Sequence, residues 1–293
     1  MKIHFKNIAL VTSFIATSLF SCTEPIDIEL SNSYSRLIVF GEISTDTTIH
    51  VIRLTRSANY FYNKPAESVS GAIVKINDSV TEISLSENPL NSGRYETPPD
   101  YYGVPGRTYH LSIDQVDIDK DGAKESYHAI SVLPFLGALD SIQLNHADYP
   151  FFQGSEILLY AQDPAETIDY YAFKTMKNGL LQTDSLSEII AQNDILFNGS
   201  YTNGIAVQYL DDAKPDEKVV AGDTIVFEMY GISKDYFNFI IEAQTEFRGS
   251  NPMFSGPPAN VSTNLTNGAL GFFAAVNIKR ATVIVPKYFQ DHK

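Results

Sequence analysis

Short segments of alternating apolar and polar residues, separated by turn residues, fill the chain from residue 34 to residue 134. In one segment Ala72, Val74 and Ile76 share a face, and the same alternation returns after the turn at Pro105-Gly106. A period of two residues is typical of half-buried strands, and short strands at this spacing are typical of β-sandwiches. The pattern therefore predicts an immunoglobulin-like β-sandwich over residues 34–134.

The second half of the chain, residues 135–293, is less regular but still predicts strands. One segment differs, because its apolar residues recur at spacings of three and four after the capping residue Ser233 and before the stop at Arg248-Gly249. This spacing predicts one α-helix near residues 233–248, packed on a sheet. The expected fold class is mainly β, with the sandwich followed by a β-rich domain. The strands predicted there are Glu156–Ala161, Asp169–Met176, Ile205–Leu210, Asp223–Tyr230, Gly271–Phe273 and Ala281–Val285.

The first residues of the chain read as an export signal that ends at a cysteine. A basic start precedes an apolar run from Ile8 to Phe20, which is shorter than the roughly 20 residues of a membrane-spanning helix. Leu19 and Ser21 occupy the positions that lipoprotein processing requires before Cys22, the single cysteine of the chain. We therefore predict a signal peptide at residues 1–21, a lipid-modified Cys22 and a tether at residues 22–33.

Composition narrows the classes of partner. The formal net charge is −14 at pH 7, which argues against binding of nucleic acid and against electrostatic attraction to anionic lipid. With one cysteine, no disulfide can form within a molecule, so burial of apolar surface must hold the fold together. The membrane is expected as a partner through the lipid anchor alone.

One acidic segment has the spacing of a metal loop. Asp117, Asp119 and Asp121 alternate before Gly122, which resembles the first half of an EF-hand calcium loop. The position that should carry a bidentate glutamate is His128, and no helix is predicted on either side. An Asp-Gly pair between alternating strands also predicts a hairpin turn. Both interpretations, a calcium site and a plain turn, stay open, and no other cofactor is expected.

Nothing in the sequence indicates catalysis. It contains neither a Gly-x-Ser-x-Gly nor a His-Glu-x-x-His motif, so we do not expect an enzyme. Aromatic residues cluster where loops are predicted, and such residues can either anchor a partner or close the ends of a sandwich. The candidate contact residues are Tyr60, Phe61, Tyr62, Tyr101, Tyr102, Phe151 and Phe152.

Four segments carry a resemblance to a known family: Val69–Ile76, Gly93–Tyr95, Pro105–Leu111 and Asn260–Ala275. With the lipoprotein signal, they resemble the uncharacterised outer-membrane lipoproteins of Bacteroidota that carry a domain of unknown function. The last segment is the most specific of the four. The resemblance covers nearly the whole mature chain, and it implies an envelope location, often beside a TonB-dependent transporter, with no catalytic residues to carry over.

The expected role is that of a lipid-anchored accessory protein that binds a ligand or a TonB-dependent transporter at the outer membrane. A structural envelope lipoprotein without a ligand is the first alternative, and a cell-surface hydrolase is the second. Glu24, Asp27 and Glu29 follow the cysteine at intervals, a pattern that favours exposure at the cell surface.

Overall fold

The computed structural model describes residues 35–57, 66–183, 185–247 and 261–287. The described part is mainly β, with one helix, as the sequence predicts. The helix, α1, spans Lys234–Phe247. The strands are β1 (Leu37–Ser44), β2 (Val51–Arg56), β3 (Ile73–Asn77), β4 (Glu82–Ser84), β5 (Ser86–Glu87), β6 (Arg94–Glu96), β7 (Thr108–Val116), β8 (Glu125–Val132), β9 (Ala138–Tyr149), β10 (Phe152–Gln162), β11 (Tyr170–Lys177), β12 (Leu180–Leu181), β13 (Ile190–Asn193), β14 (Ile205–Asp211), β15 (Thr224–Ile232) and β16 (Leu270–Ile284).

These strands form one large sheet and two small ones. The central sheet has the order β12-β11-β15-β16-β1-β2-β6-β5, with β13 also paired to β11. The four-stranded sheet has the order β4-β3-β7-β8, and the three-stranded sheet has the order β14-β10-β9. The faces that alternation predicts are those the structure buries: Val74 and Ile76 in β3, and Tyr109 and Leu111 in β7, are all buried.

Strand β16 is shared by all three hydrophobic cores, because its two faces and its two ends have different neighbours. Phe273 lies in the core under the four-stranded sheet, and Val283 packs on the core under the three-stranded sheet. On the opposite face, Phe272, Ala274 and Val276 belong to the core under α1. A strand buried on both faces along half its length requires the continuous apolar run that this segment has.

The helix covers one face of the central sheet. The Ser233 hydroxyl accepts a hydrogen bond from the Tyr236 amide at 3.2 Å, which caps the first turn as predicted. Phe239, Ile240 and Ala243 are buried, and the Phe239 and Phe272 rings lie 5.1 Å apart. The spacing of three and four therefore places a single face on the sheet.

The structure joins the two parts that the sequence analysis divides at residue 134. Strand β16 pairs in parallel with β1 and antiparallel with β15, so strands from both parts belong to one sheet. The described residues from 35 to 287 belong to one compact unit. The connecting segment is itself fastened to β16, since Asn277 donates to the Pro134 carbonyl at 3.1 Å and Lys279 donates to the Gly137 carbonyl at 2.8 Å.

Two details differ from the strand predictions. Gly271–Phe273 and all of the predicted Ala281–Val285 except Val285 belong to the single strand β16, whose middle carries the polar Asn277, Lys279 and Arg280. Of the strands that the sequence did not predict, which are β4, β5, β9, β12 and β13, strand β9 is the longest. It lies at the edge of the three-stranded sheet and buries few of its residues, so its sequence has no clear alternation.

Candidate functional site

Some of the predicted site residues lie outside the described residues. These are the lipidation residue Cys22, with the signal peptide and tether around it, and the aromatic cluster Tyr60, Phe61 and Tyr62. The predictions for them rest on the sequence.

The acidic segment at Asp117 forms the connection of the hairpin between β7 and β8. One carboxylate oxygen from each of Asp117, Asp119 and Asp121 lies within 4.8 Å of the others, so the side chains do converge. Lys124 approaches Asp117 at 3.7 Å, and Asp119 and Asp121 are exposed. The segment is thus a hairpin turn in which carboxylates converge, and calcium binding there stays a prediction.

The other candidate contact residues lie in two separate places, the loop before β7 and the turn between β9 and β10 together with the first residue of β10. Tyr102 and Phe151 are exposed, and Phe151 stands fully in solvent at the tip of the β9–β10 hairpin. Tyr101 is partly buried against the core under the four-stranded sheet, and the Phe152 ring lies 5.6 Å from the Tyr209 ring. Tyr102 and Phe151 therefore keep the exposure that a contact residue needs, whereas Tyr101 and Phe152 also contribute to packing.

The structure contains a cavity that the sequence analysis did not predict. It lies between the three-stranded sheet and the central sheet, and its volume is about 250 Å³. Most of the lining is apolar: Leu159, Ala161, Tyr171, Phe173, Ile190, Phe197, Ile205, Val207 and Met229 all contribute. Within the three-stranded sheet, β10 and β14 pair with a register shift between Ile157 and Leu158, next to the lining residue Leu159. No periodicity marks this cavity, since its lining comes from five strands and two loops.

Exposed apolar side chains surround the cavity. Ile205 and Tyr209 line it and are each more than two-fifths exposed. The loop that carries the lining residue Phe197 also carries Ile195 and Leu196, which are 62% and 91% exposed. A cavity with an apolar interior and an apolar margin can take an apolar molecule from water, because the transfer removes nonpolar surface from solvent on both partners.

Polar groups lie at one end of the cavity. The Tyr171 hydroxyl donates to Asp163 Oδ1 at 2.5 Å, and the Gly199 amide donates to Asp163 Oδ2 at 2.8 Å. Burial, with the hydrogen bond to Asp163, raises the pKa of Tyr171 far above its ordinary value, so this hydroxyl keeps its proton at physiological pH. The Thr202 hydroxyl is already hydrogen-bonded to the backbone, since its Oγ1 accepts a hydrogen bond from the Ala161 amide at 2.9 Å.

The described residues that line the cavity include no histidine, serine, cysteine or lysine. This part of the molecule can therefore enclose an apolar body.

Residues 23–282 match the family described as Domain of unknown function (DUF4249). The chain belongs to the DUF4249 family. The match extends over both the N-terminal strands and β16, so this family domain includes the four-stranded sheet, the cavity and the helix. Among curated proteins, none matches the sequence.

Within the part of this DUF4249 chain that the structure describes, no helix has the length and apolar character needed to cross a membrane.

Proposed function

We propose that this protein is a lipid-anchored accessory protein of the outer membrane, without enzymatic activity, whose central cavity binds an apolar ligand. The observation that carries the proposal is the cavity of about 250 Å³ between the two sheets. Its volume lies just below the usual range for small-molecule sites, about 300–1,000 Å³, so the ligand is small or only partly enclosed.

The lining supports binding rather than catalysis. A hydrolase needs a nucleophile with an adjacent base, or a pair of convergent acidic groups facing the substrate. The cavity offers a single carboxylate, Asp163, whose two oxygens already accept hydrogen bonds from Tyr171 and Gly199. A structural lipoprotein with no ligand is the main alternative, and it would have no use for a solvent-accessible apolar cavity.

The anchor is supported by the start of the chain. The signal-like segment ends at Cys22, and the family match begins at residue 23, directly after it. Acyl chains on this cysteine would hold the domain at the membrane, since each buried methylene contributes about 0.8 kcal/mol. The acidic residues Glu24, Asp27 and Glu29 favour the outer surface.

A TonB-dependent transporter is the partner that we propose. Tethering both proteins in one membrane raises their effective concentration, so a modest contact surface is sufficient. Tyr102 and Phe151 are exposed aromatic residues of the kind that anchor such contacts.

Filling the cavity is expected to weaken ligand binding while keeping the fold. We expect the neutral fluorophore N-phenylnaphthylamine to bind the chain saturably, and Ala161→Leu to weaken that binding at least about tenfold, because the larger side chain occupies the cavity. The measurement is a fluorescence titration of the chain from residue 23 onwards, which carries neither the acyl chains nor the apolar run Ile8–Phe20.

Ala191→Leu is the matched control, since Ala191 packs on the helix side of β13 while its neighbour Gln192 lines the cavity. This variant should bind the probe like the parent chain. Equal probe binding by the parent and Ala161→Leu, or no saturable binding at all, would favour the structural alternative.

Loss of the acylation site is expected to release the protein and to separate it from its transporter. The parent chain should incorporate labelled palmitate, sediment with membranes and co-purify with a TonB-dependent transporter after detergent solubilisation. Cys22→Ser should do none of these, because a modest contact surface depends on the tether. Recovery of an unacylated parent chain in the soluble fraction would contradict the anchor, and capture of the parent chain without a transporter would contradict the partner.

A further inference from the structure

Three aspartates from separate segments meet beside the cavity. Asp163 follows β10, Asp169 precedes β11, and Asp194 follows β13. Because β11 pairs with β13 in a register that places Tyr170 opposite Asn193, Asp169 and Asp194 leave the sheet at the same end. One carboxylate oxygen from each of the three aspartates lies within 4.8 Å of the others.

These carboxylates are withdrawn from water. Asp194 is 0% exposed and Asp163 is 4% exposed, while Asp169 is half-buried. Among the described residues, none of these three aspartates forms an ion pair with a lysine, arginine or histidine. Buried carboxylates are costly unless a positive charge or a proton compensates them.

Hydrogen bonds satisfy only part of the cluster. The Asp169 amide donates to Asp194 Oδ2 at 2.8 Å, and the Thr167 hydroxyl donates to Asp169 Oδ2 at 2.9 Å. Asp194 Oδ1 is buried and has no hydrogen-bond partner. Burial raises the pKa of Asp194, and the neighbouring carboxylate of Asp163 raises it further. A buried carboxylate oxygen without a partner, in a cluster of three converging carboxylates, is the arrangement that a metal ion completes.

We propose that Asp163, Asp169 and Asp194 bind a divalent cation of the calcium class. The donors are all oxygen, which calcium and magnesium prefer, and they lie on loops. Oxygens on opposite sides of a calcium ion can be separated by about 4.8 Å, twice the usual calcium–oxygen distance, whereas the shorter magnesium–oxygen distance requires a tighter cluster. All three oxygens lie within that span, and calcium tolerates the irregular geometry of a site built from loops better than magnesium, which requires near-ideal octahedral coordination. This site stands independently of the proposed ligand.

An ion at this position would join two loops at the cavity. Asp163 lines the cavity, and the segment after Asp194 contributes the lining residues Phe197 and Thr202. Calcium would therefore hold the loop of residues 194–204 against the start of the β10–β11 connection. That consequence for ligand binding rests on the proposed function, while the ion site does not.

Terbium luminescence tests the site directly, because terbium replaces calcium and emits when a nearby aromatic ring transfers energy to it. The chain has no tryptophan, and the Tyr171 hydroxyl contacts Asp163, so emission should report this tyrosine. Using the full chain in detergent after removal of metal with EDTA, we expect saturable terbium emission that calcium displaces with a dissociation constant on the order of 10⁻⁴ to 10⁻³ M.

Matched variants locate the signal. Asp169→Asn should weaken calcium binding at least about tenfold through loss of a charged ligand. Asp148→Asn, at an exposed carboxylate on β9, should leave it unchanged, and so should Asp119→Asn in the other acidic loop. Tyr171→Phe should reduce the emission but preserve the rise in unfolding temperature that calcium produces.

Three outcomes would overturn the proposal. The first is the absence of saturable, calcium-displaceable emission. The second is loss of emission in Asp119→Asn with retention in Asp169→Asn, which would assign the ion to the Asp117 loop. The third is an unfolding temperature that millimolar calcium does not change at neutral pH, which would indicate that the carboxylates share a proton instead.

Discussion

Replacing Gly271 with alanine is expected to destabilise the fold by about 3–5 kcal/mol, because the new β-carbon has no space and the backbone is in a conformation that favours glycine. Gly271 has a φ of +90° and lies opposite Val39 in the parallel pair of β16 and β1. A β-carbon there would overlap the Val39 carbonyl oxygen and would approach the Val39 carbonyl carbon to 2.9 Å. The strands would have to separate at the point where the two halves of the chain join.

Gly222→Ala separates the two causes. Gly222 has nearly the same φ, +91°, but its β-carbon would have nothing within 4 Å. This variant carries the conformational cost alone, about 1–2 kcal/mol. Urea unfolding followed by circular dichroism measures both free energies. Equal losses for the two variants would show that the β1–β16 pair tolerates separation, and that the junction does not depend on close approach of the backbones.

The sequence predicts elements that carry a local pattern, but it does not predict this junction between distant strands. Strands such as β3 and β7 were predicted because each carries its own alternation, and α1 was predicted because its cap and spacing are local. The parallel pairing of β16 with β1 leaves no local signal. The adjacent apolar residues Phe272 and Phe273 lie on opposite faces and so indicate a strand buried on both sides, but they do not identify the neighbouring strands.

The candidate sites show the same limit. The Asp117 loop was found because its three carboxylates alternate within five residues of sequence. Asp163, Asp169 and Asp194 have no such spacing, and only the pairing of β11 with β13 brings the last two together. The cavity likewise depends on how two sheets separate, which no single segment encodes.

A second long-range contact of β16 is made by the Arg280 side chain, on the face of the central sheet that the helix covers. Arg280 lies opposite Glu228 on β15, and its Nε donates to Glu228 Oε1 at 2.6 Å. Its Nη1 and Nη2 donate to the two Asp46 carboxylate oxygens at 2.7 and 2.6 Å, a bidentate pair. The hydrogen bonds from Arg280 lower the pKa of Asp46. One guanidinium thus joins β16, β15 and the turn after β1.

Removing this guanidinium by Arg280→Met is expected to cost about 2–4 kcal/mol, because it leaves the Glu228 carboxylate, 2% exposed, with only the Tyr230 hydroxyl as a partner. The range is below the full cost of breaking a buried pair, since the Arg280 side chain is itself 39% exposed. Adding Glu228→Gln to this variant should restore much of the lost stability by removing the unpaired charge.

Lys75→Met is the matched comparison for Arg280→Met. The Lys75 side chain is also 39% exposed and pairs across strands with Glu82, but the Glu82 side chain is 50% exposed. The free energy of unfolding that Lys75→Met loses should fall within the error of a urea unfolding measurement, because water solvates the Glu82 carboxylate left behind. If Arg280→Met were as mild as Lys75→Met, Glu228 would have to reach water by local rearrangement. The contact between β15 and β16 would then depend on apolar packing and backbone hydrogen bonds alone.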